Sequence, residues 1–260
     1  MISTIMQKLK IFFIFGIALF VISCGPQEQT SEINQSSADV NPAAEGFNMQ
    51  ASDSQAVAIA DSVMQAMGGR QNWDQTNVIQ WNFFGRRTHT WNKQTGRDSI
   101  DIPGQNLVID MNIESQEGTV FKNGEELSEP DSVQKYLNQG YEMWVNDSYW
   151  LLMPYKLKDS GVTLTYLGTD TTATGMPAHK LKVTFDSVGV TPNNMYHVYV
   201  DTAQHLVRQW AYYPESTMDD PGFVLPWDNY EQYGGILLSG DRGKYEISDI
   251  EVMNEWPNAK

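Results

Sequence analysis

Four histidines, His89, His179, His197 and His205, are the side chains best suited to proton transfer or metal ligation in this chain. None stands four residues from another, so no pair shares a helix face as helical metal motifs require. His197 and His205 flank an expected hairpin turn and can approach across two strands, yet two imidazoles alone make a weak metal site. No H-E-x-x-H, G-x-S-x-G, Walker or EF-hand pattern occurs. The acidic doublet Asp219-Asp220 lies beside Pro221-Gly222, in a loop where carboxylates are solvated, whereas a catalytic dyad needs facing geometry. Arg86-Arg87 is the one basic doublet of the first long strand. Alternation puts one of the two on the face of Trp81 and Trp91, either to receive a carboxylate or as an edge arginine with its stem packed. This inventory supplies no catalytic group, no metal site and no cofactor site. A hydrolase built on His89 or His197 with a nearby carboxylate is the least favoured reading.

Aromatic and thioether side chains carry the stronger signal. Trp81, Phe83, Trp91, Met111, Trp144, Trp150 and Trp210 lie on elements that can line one concave surface, and they are the expected ligand-binding residues. Tyr155, Tyr212, Met143 and Met153 accompany them, the methionines as adaptable lining. The stretch Trp144 to Pro154 is apolar enough to fold over the mouth of such a surface.

Cys24 is the only cysteine of the 260 residues. Lys8 and Lys10 precede an apolar run from Ile11 to Ile22, then Ser23. Basic residues, a short apolar stretch and a small residue make a secretory signal. As a helix the run spans about 18 Å, short of the roughly 30 Å of a bilayer core. Val21-Ile22-Ser23-Cys24 resembles a bacterial lipobox, with Ile22 bulkier than usual at its position. That resemblance implies acylation of Cys24 and anchoring to a membrane by lipid, such as palmitate. More than one chain is needed for stable anchoring, and a diacylated cysteine meets that need.

Removal of residues 1–23 takes away two lysines and leaves 15 basic against 32 acidic residues, a formal charge of −17. Nucleic-acid binding needs basic surface and is excluded as a partner. With its one thiol acylated, the mature chain has no disulfide or thiolate chemistry. Residues 24–51 are polar and rich in Ser, Gln, Asn and Pro, which predicts a disordered linker. Residues 52–260 suit one domain, expected as a monomer.

Helical spacing predicts a helix from Ser54 to Met67, capped by Ser52 or Ser54 and ended by Gly68-Gly69. The period then changes to two, and Val78 to Trp91 reads as one long half-buried strand. Strands follow at Asp98–Ile102, Asn106–Ile113 and Thr119–Lys122, with Asn123-Gly124 as a hairpin turn. Pro130 to Trp150 predicts a second helix, weakened by Gly140. Further strands are expected at Val162–Leu167, His179–Phe185, Tyr196–Val200, Leu206–Tyr213, Ile236–Ser239 and Lys244–Val252. Short connections make the sheet antiparallel. The expected class is α+β, a curved antiparallel sheet or incomplete β-barrel with two helices packed on its concave face.

Several segments resemble an uncharacterised family of Bacteroidetes lipoproteins. They are Gly69-Arg70 to Trp73, Asn82 to Gly85, Tyr149 to Leu157, Asp159 to Val162, and Val188 to Pro192 before the strand at Tyr196. More distantly, the order of helix, hairpin sheet, helix and further strands is similar to the outer-membrane lipoprotein-sorting proteins (LolA/LolB-like). That similarity implies a half-barrel, a helical lid and an apolar cavity for acyl chains, and it carries over no functional residue. Since Cys24 tethers this chain, it would look more like the anchored receptor of that pathway than the soluble carrier. The expectation is a non-enzymatic lipoprotein of the cell envelope, anchored to the outer membrane, that binds a lipid, acyl chain or other apolar ligand. An envelope scaffold without a small ligand is the alternative, and it predicts an exposed apolar patch.

Overall fold

Gly68 and Gly69 stop the first helix because both take φ values, 113° and 84°, that side chains resist. A Cβ on Gly68 would stand 2.2 Å from Gly235 O, so the helix end also needs glycine for close approach. That helix, α1 (Ser54–Ala66), buries Ala56, Ile59, Ala60, Val63 and Met64. Asp53 occupies its N-cap position, and no side-chain cap bond is made. Ser52 and Asp53 instead accept from Leu164 N and Tyr166 N, tying the helix start to a strand. A short helix not expected from the sequence, α2 (Arg70–Gln75), follows at once.

The computed structural model describes residues 40–186 and 189–257, all within the compact unit Gln35–Lys260. Cys24, the expected export segment and most of the expected linker lie outside the described residues. The linker was expected to run to Ala51, but from Asn41 the chain is folded. Phe47 is buried, and Ala44 N and Asn48 N donate to Lys158 O and Val162 O. Lys158 Nζ, itself buried, lies 2.6 Å from both Asn41 O and Asp61 Oδ1. A single phenylalanine and one buried cation thus order a segment whose composition reads as polar.

The strands are all antiparallel and not closed into a barrel. The largest sheet runs β14 (Ile247–Met253), β1 (Val78–Phe83), β2 (Arg87–Asn92), β3 (Arg97–Ile102), β4 (Leu107–Asn112), β5 (Gly118–Lys122) and β6 (Glu125–Glu126). A second runs β11 (Phe223–Pro226), β10 (Val207–Tyr213), β9 (Met195–Asp201), β8 (Pro177–Phe185) and β7 (Val162–Thr171). A ribbon of β12 (Asp228–Tyr233) and β13 (Ile236–Asp241) completes the set. The class is therefore α+β with curved antiparallel sheet, as expected.

One expectation fails at Phe84-Gly85. The single long strand is a hairpin, β1 and β2, turned by Phe84 and Gly85 at φ 56° and 66°. The pairing sets Trp81 opposite His89 and Ile79 opposite Trp91. Odd-numbered residues of both strands thus share one face, so the alternation continues through the turn and hides it.

The third helix, α3 (Pro130–Leu152), starts at Glu129, whose carboxylate accepts from Asp131 N and Ser132 N. Its first half packs Leu137 on Ile100, Ile109, Met111 and Val120. Its end adds Leu151 and Leu152 to the main core, which both sheets share. Arg242 caps that end from a buried position, donating to Trp150 O at 2.6 Å with its guanidinium 3.3 Å above Trp227. No described helix is long and apolar enough to cross a membrane.

Candidate functional site

The register of the second sheet gathers aromatic rings on one face. Val183 pairs with Tyr196, Tyr196 with Tyr212, and Tyr212 with Phe223. Two residues along, Leu181, Val198, Trp210 and Leu225 form the neighbouring row. Because side chains alternate with period two, both rows face the same way.

Over this face lies the second half of α3, and between them is a cavity of about 490 Å³. Tyr141, Trp144, Tyr149 and Trp150 supply rings from the helix, and Phe185, Tyr196, Tyr212 and Phe223 supply them from the sheet. Val145, Val162 and Val190 add aliphatic wall. Trp210 backs the floor, stacked on Tyr196 at 5.3 Å and edge-on to Trp150 at 5.0 Å. Tyr149 packs at 5.9 Å from Phe185 and 5.1 Å from Tyr196. The polar rim includes Lys156 and Asp159, paired at 2.5 Å, and Asn194, which accepts from the Tyr212 hydroxyl. Burial raises the Tyr149 and Tyr196 phenols above their ordinary range, so both stay protonated near neutral pH.

A buried ionic quartet fixes the helix from behind. Arg87 donates twice to Asp147 of α3, at 2.5 and 2.7 Å. His89 is fully buried between Asp98, 2.8 Å from Nδ1, and Asp147, 2.9 Å from Nε2. Its ring stacks on Trp81 at 4.7 Å. Burial lowers the His89 pKa, but the charge of Asp98 and hydrogen bonds to both carboxylates outweigh it and raise the value to about 9. Burial works against ionised Asp147, yet His89 and Arg87 hold its pKa below the ordinary value. Asp98 goes the other way, raised by burial.

Of the expected ligand-binding residues, Trp144 and Trp150 line the cavity. Trp210 lies beneath its floor. Trp81, Phe83, Trp91 and Met111 sit in the packed interior and do not line it, because β1, β2 and β4 turn these side chains toward α1 and α3 instead. Tyr212, also singled out in the sequence, lines the wall, whereas Tyr155 is buried with its hydroxyl 2.7 Å from Met67 O and 2.8 Å from Leu237 O. Tyr149 falls within the stretch Trp144 to Pro154 expected at the mouth, whereas sequence reasoning missed Phe185, Tyr196 and Phe223. The period-two spacing of Tyr196 with Val198 and of Trp210 with Tyr212, across the turn at Asp201 to Gln204, was the available signal.

Neither His89 nor His197 combines an acid partner with an accessible ring. His89 has its acids, but both ring nitrogens are engaged and the residue has no accessible surface. His197 meets the Tyr213 hydroxyl, not a carboxylate, and burial with Lys180 and Lys182 nearby lowers its pKa to about 4. Among the described residues no group of three His, Cys, Asp or Glu side chains could hold a metal ion.

No family model matches this chain, and no curated protein does. The chain is similar to solved bacterial structures. One is a DUF1329 family protein from Desulfovibrio piger, with 13% identity over 76% of this chain and 92% of that one, at a TM-score of 0.40. Another is a LolA superfamily protein from Nitrosomonas europaea, with 11% identity over 78% of this chain and 94% of that one, also at 0.40. At that TM-score neither likeness transfers a site residue or an activity to this chain.

Proposed function

We propose that this protein is a non-enzymatic lipoprotein of the bacterial envelope, held to the outer membrane through acylated Cys24, that binds an apolar ligand in the cavity beneath α3. The observation that carries the reading is an aromatic-walled cavity of about 490 Å³ between helix and sheet. That size falls within the roughly 300–1,000 Å³ of small-molecule sites. Each methylene transferred from water contributes about 0.8 kcal/mol, so a single acyl chain gains enough to offset the cost of association. The segment around Cys24 supports the anchor by its order of basic, apolar and small residues.

The cavity is tested with the chain from Gly25 onward, which contains every described residue. Diphenylhexatriene, a hydrocarbon that fluoresces on leaving water, should bind saturably at about one per chain. Mass spectrometry of solvent extracts should find co-purified lipid. No uptake by delipidated protein would defeat the reading. The anchor is tested separately, since Cys24→Ser should move the full-length protein from the membrane to the soluble fraction.

A further inference from the structure

One residue of the cavity wall carries a buried hydrogen-bond donor that the protein does not use. Tyr212 Oη donates to Asn194 Oδ1 at 3.3 Å. Tyr149 Oη is buried without a protein partner, and so is Trp144 Nε1. Both residues line the cavity. The indole nitrogens of Trp81, Trp91, Trp210 and Trp227 are also unpaired, but none of these residues lines it, so the weight falls on the Tyr149 hydroxyl. A buried group left unpaired costs free energy, and a ligand that supplies an acceptor recovers it.

The charge of the wall restricts what can return it. Lys156 is the only basic residue among the described lining, and it is already paired with Asp159. A carboxylate entering the cavity would lose water without gaining a free cation, and it would do so on a chain of strongly negative net charge. A neutral carbonyl loses far less on entry and accepts well from a phenol.

Resting on the apolar-ligand reading above, we infer that the ligand is an uncharged acyl ester, whose carbonyl oxygen accepts from Tyr149 Oη, and not a free fatty-acid anion. The rings of Tyr141, Trp144, Phe185 and Phe223 then enclose the chain. Trp144 Nε1 stands as a second donor on the same helix. Tyr149 acts as a specificity determinant, separating an ester from its carboxylate and from a plain hydrocarbon.

The test displaces diphenylhexatriene from the chain beginning at Gly25 with methyl laurate and with laurate at pH 8. The ester should compete at least tenfold better. In Tyr149→Phe, which keeps the ring against Phe185 and Tyr196, ester affinity should fall about tenfold more than diphenylhexatriene affinity. Laurate competing as well as the ester overturns the inference, as does a Tyr149→Phe variant whose ester and hydrocarbon affinities move together. In either outcome the dye still binds and the apolar-ligand reading stands. Failure of the wild-type chain to take up the dye removes that reading, and this inference with it.

Discussion

His89 Nε2 stands 2.9 Å from Asp147 Oδ2, and this contact joins the second half of α3 to β2 with no water-accessible surface on either side chain. With Arg87 and Asp98 the group is balanced, two positive charges against two negative. Asp147 sits between Asn146 and Ser148, both of which line the cavity. The quartet therefore holds one face of the helix while the neighbouring face forms the cavity wall.

Because the His89 pKa is raised to about 9 from an ordinary 6.5, its stabilising contribution is whole below about pH 6.5. It is lost as pH rises through about 9. The shift corresponds to on the order of 3 kcal/mol. Urea midpoints should therefore fall between pH 7 and 9.5, and His89→Gln should be less stable at pH 7 with a flatter profile over that range. An alkaline slope unchanged in the variant would mean that the histidine is neutral in the folded protein. Asp147, with its lowered pKa, acts in the opposite window, losing its contribution as pH falls.

The folded start of the domain gives a boundary that can be cut. A chain beginning at Val40 keeps Phe47, the Asn41–Asp61–Lys158 cluster and the backbone bonds to Lys158 and Val162. A chain beginning at Ser52 loses the Phe47 ring and the Asn41 contacts, a cost of about 4 kcal/mol. Urea denaturation of the two should differ by that order. Equal midpoints would return residues 41–51 to the status of linker.

Much of this was open to sequence reasoning, and the failures have physical causes. α1 and α3 follow from apolar spacing with Gly68-Gly69 and Pro130 as punctuation. The hairpin at Phe84-Gly85 was hidden because its register preserves parity. β12, Asp228–Tyr233, was missed because its sequence DNYEQY is polar and none of its residues is buried. Asp147 reads as a solvent-facing helix residue until His89, distant in sequence, is brought against it. Part of the cavity wall escaped for the same reason. Tyr149 and Tyr196 become neighbours only once the strand pairing and the seat of α3 are known.

That seat depends on Gly140. A Cβ there would lie 3.0 Å from both Ile109 Cγ2 and Met111 Sδ. Helix propensity alone favours alanine over glycine by about 1 kcal/mol. The methionine sulfur can swing aside, but the β-branched Ile109 is fixed in its strand. Gly140→Ala should therefore lose about 1 kcal/mol net by urea denaturation, against the propensity gain. A stabilised variant would show that β4 yields and that the helix is not seated tightly.

Filling the cavity separates binding from folding. Val145 lines it from α3, and an added Cβ at Gly189 would come 3.9 Å from Val145 Cγ1, so this side chain faces the loop across the opening. Valine and tryptophan have similar helix propensities, and Val145 is only half-buried, so Val145→Trp should leave the melting temperature within a few degrees. The larger ring must enter the cavity, since α3 is held from behind by Asp147 and the quartet. Diphenylhexatriene affinity should then drop tenfold or more. Should the dye bind as before to a folded variant, it occupies some other surface, and the space beneath α3 is not the ligand site.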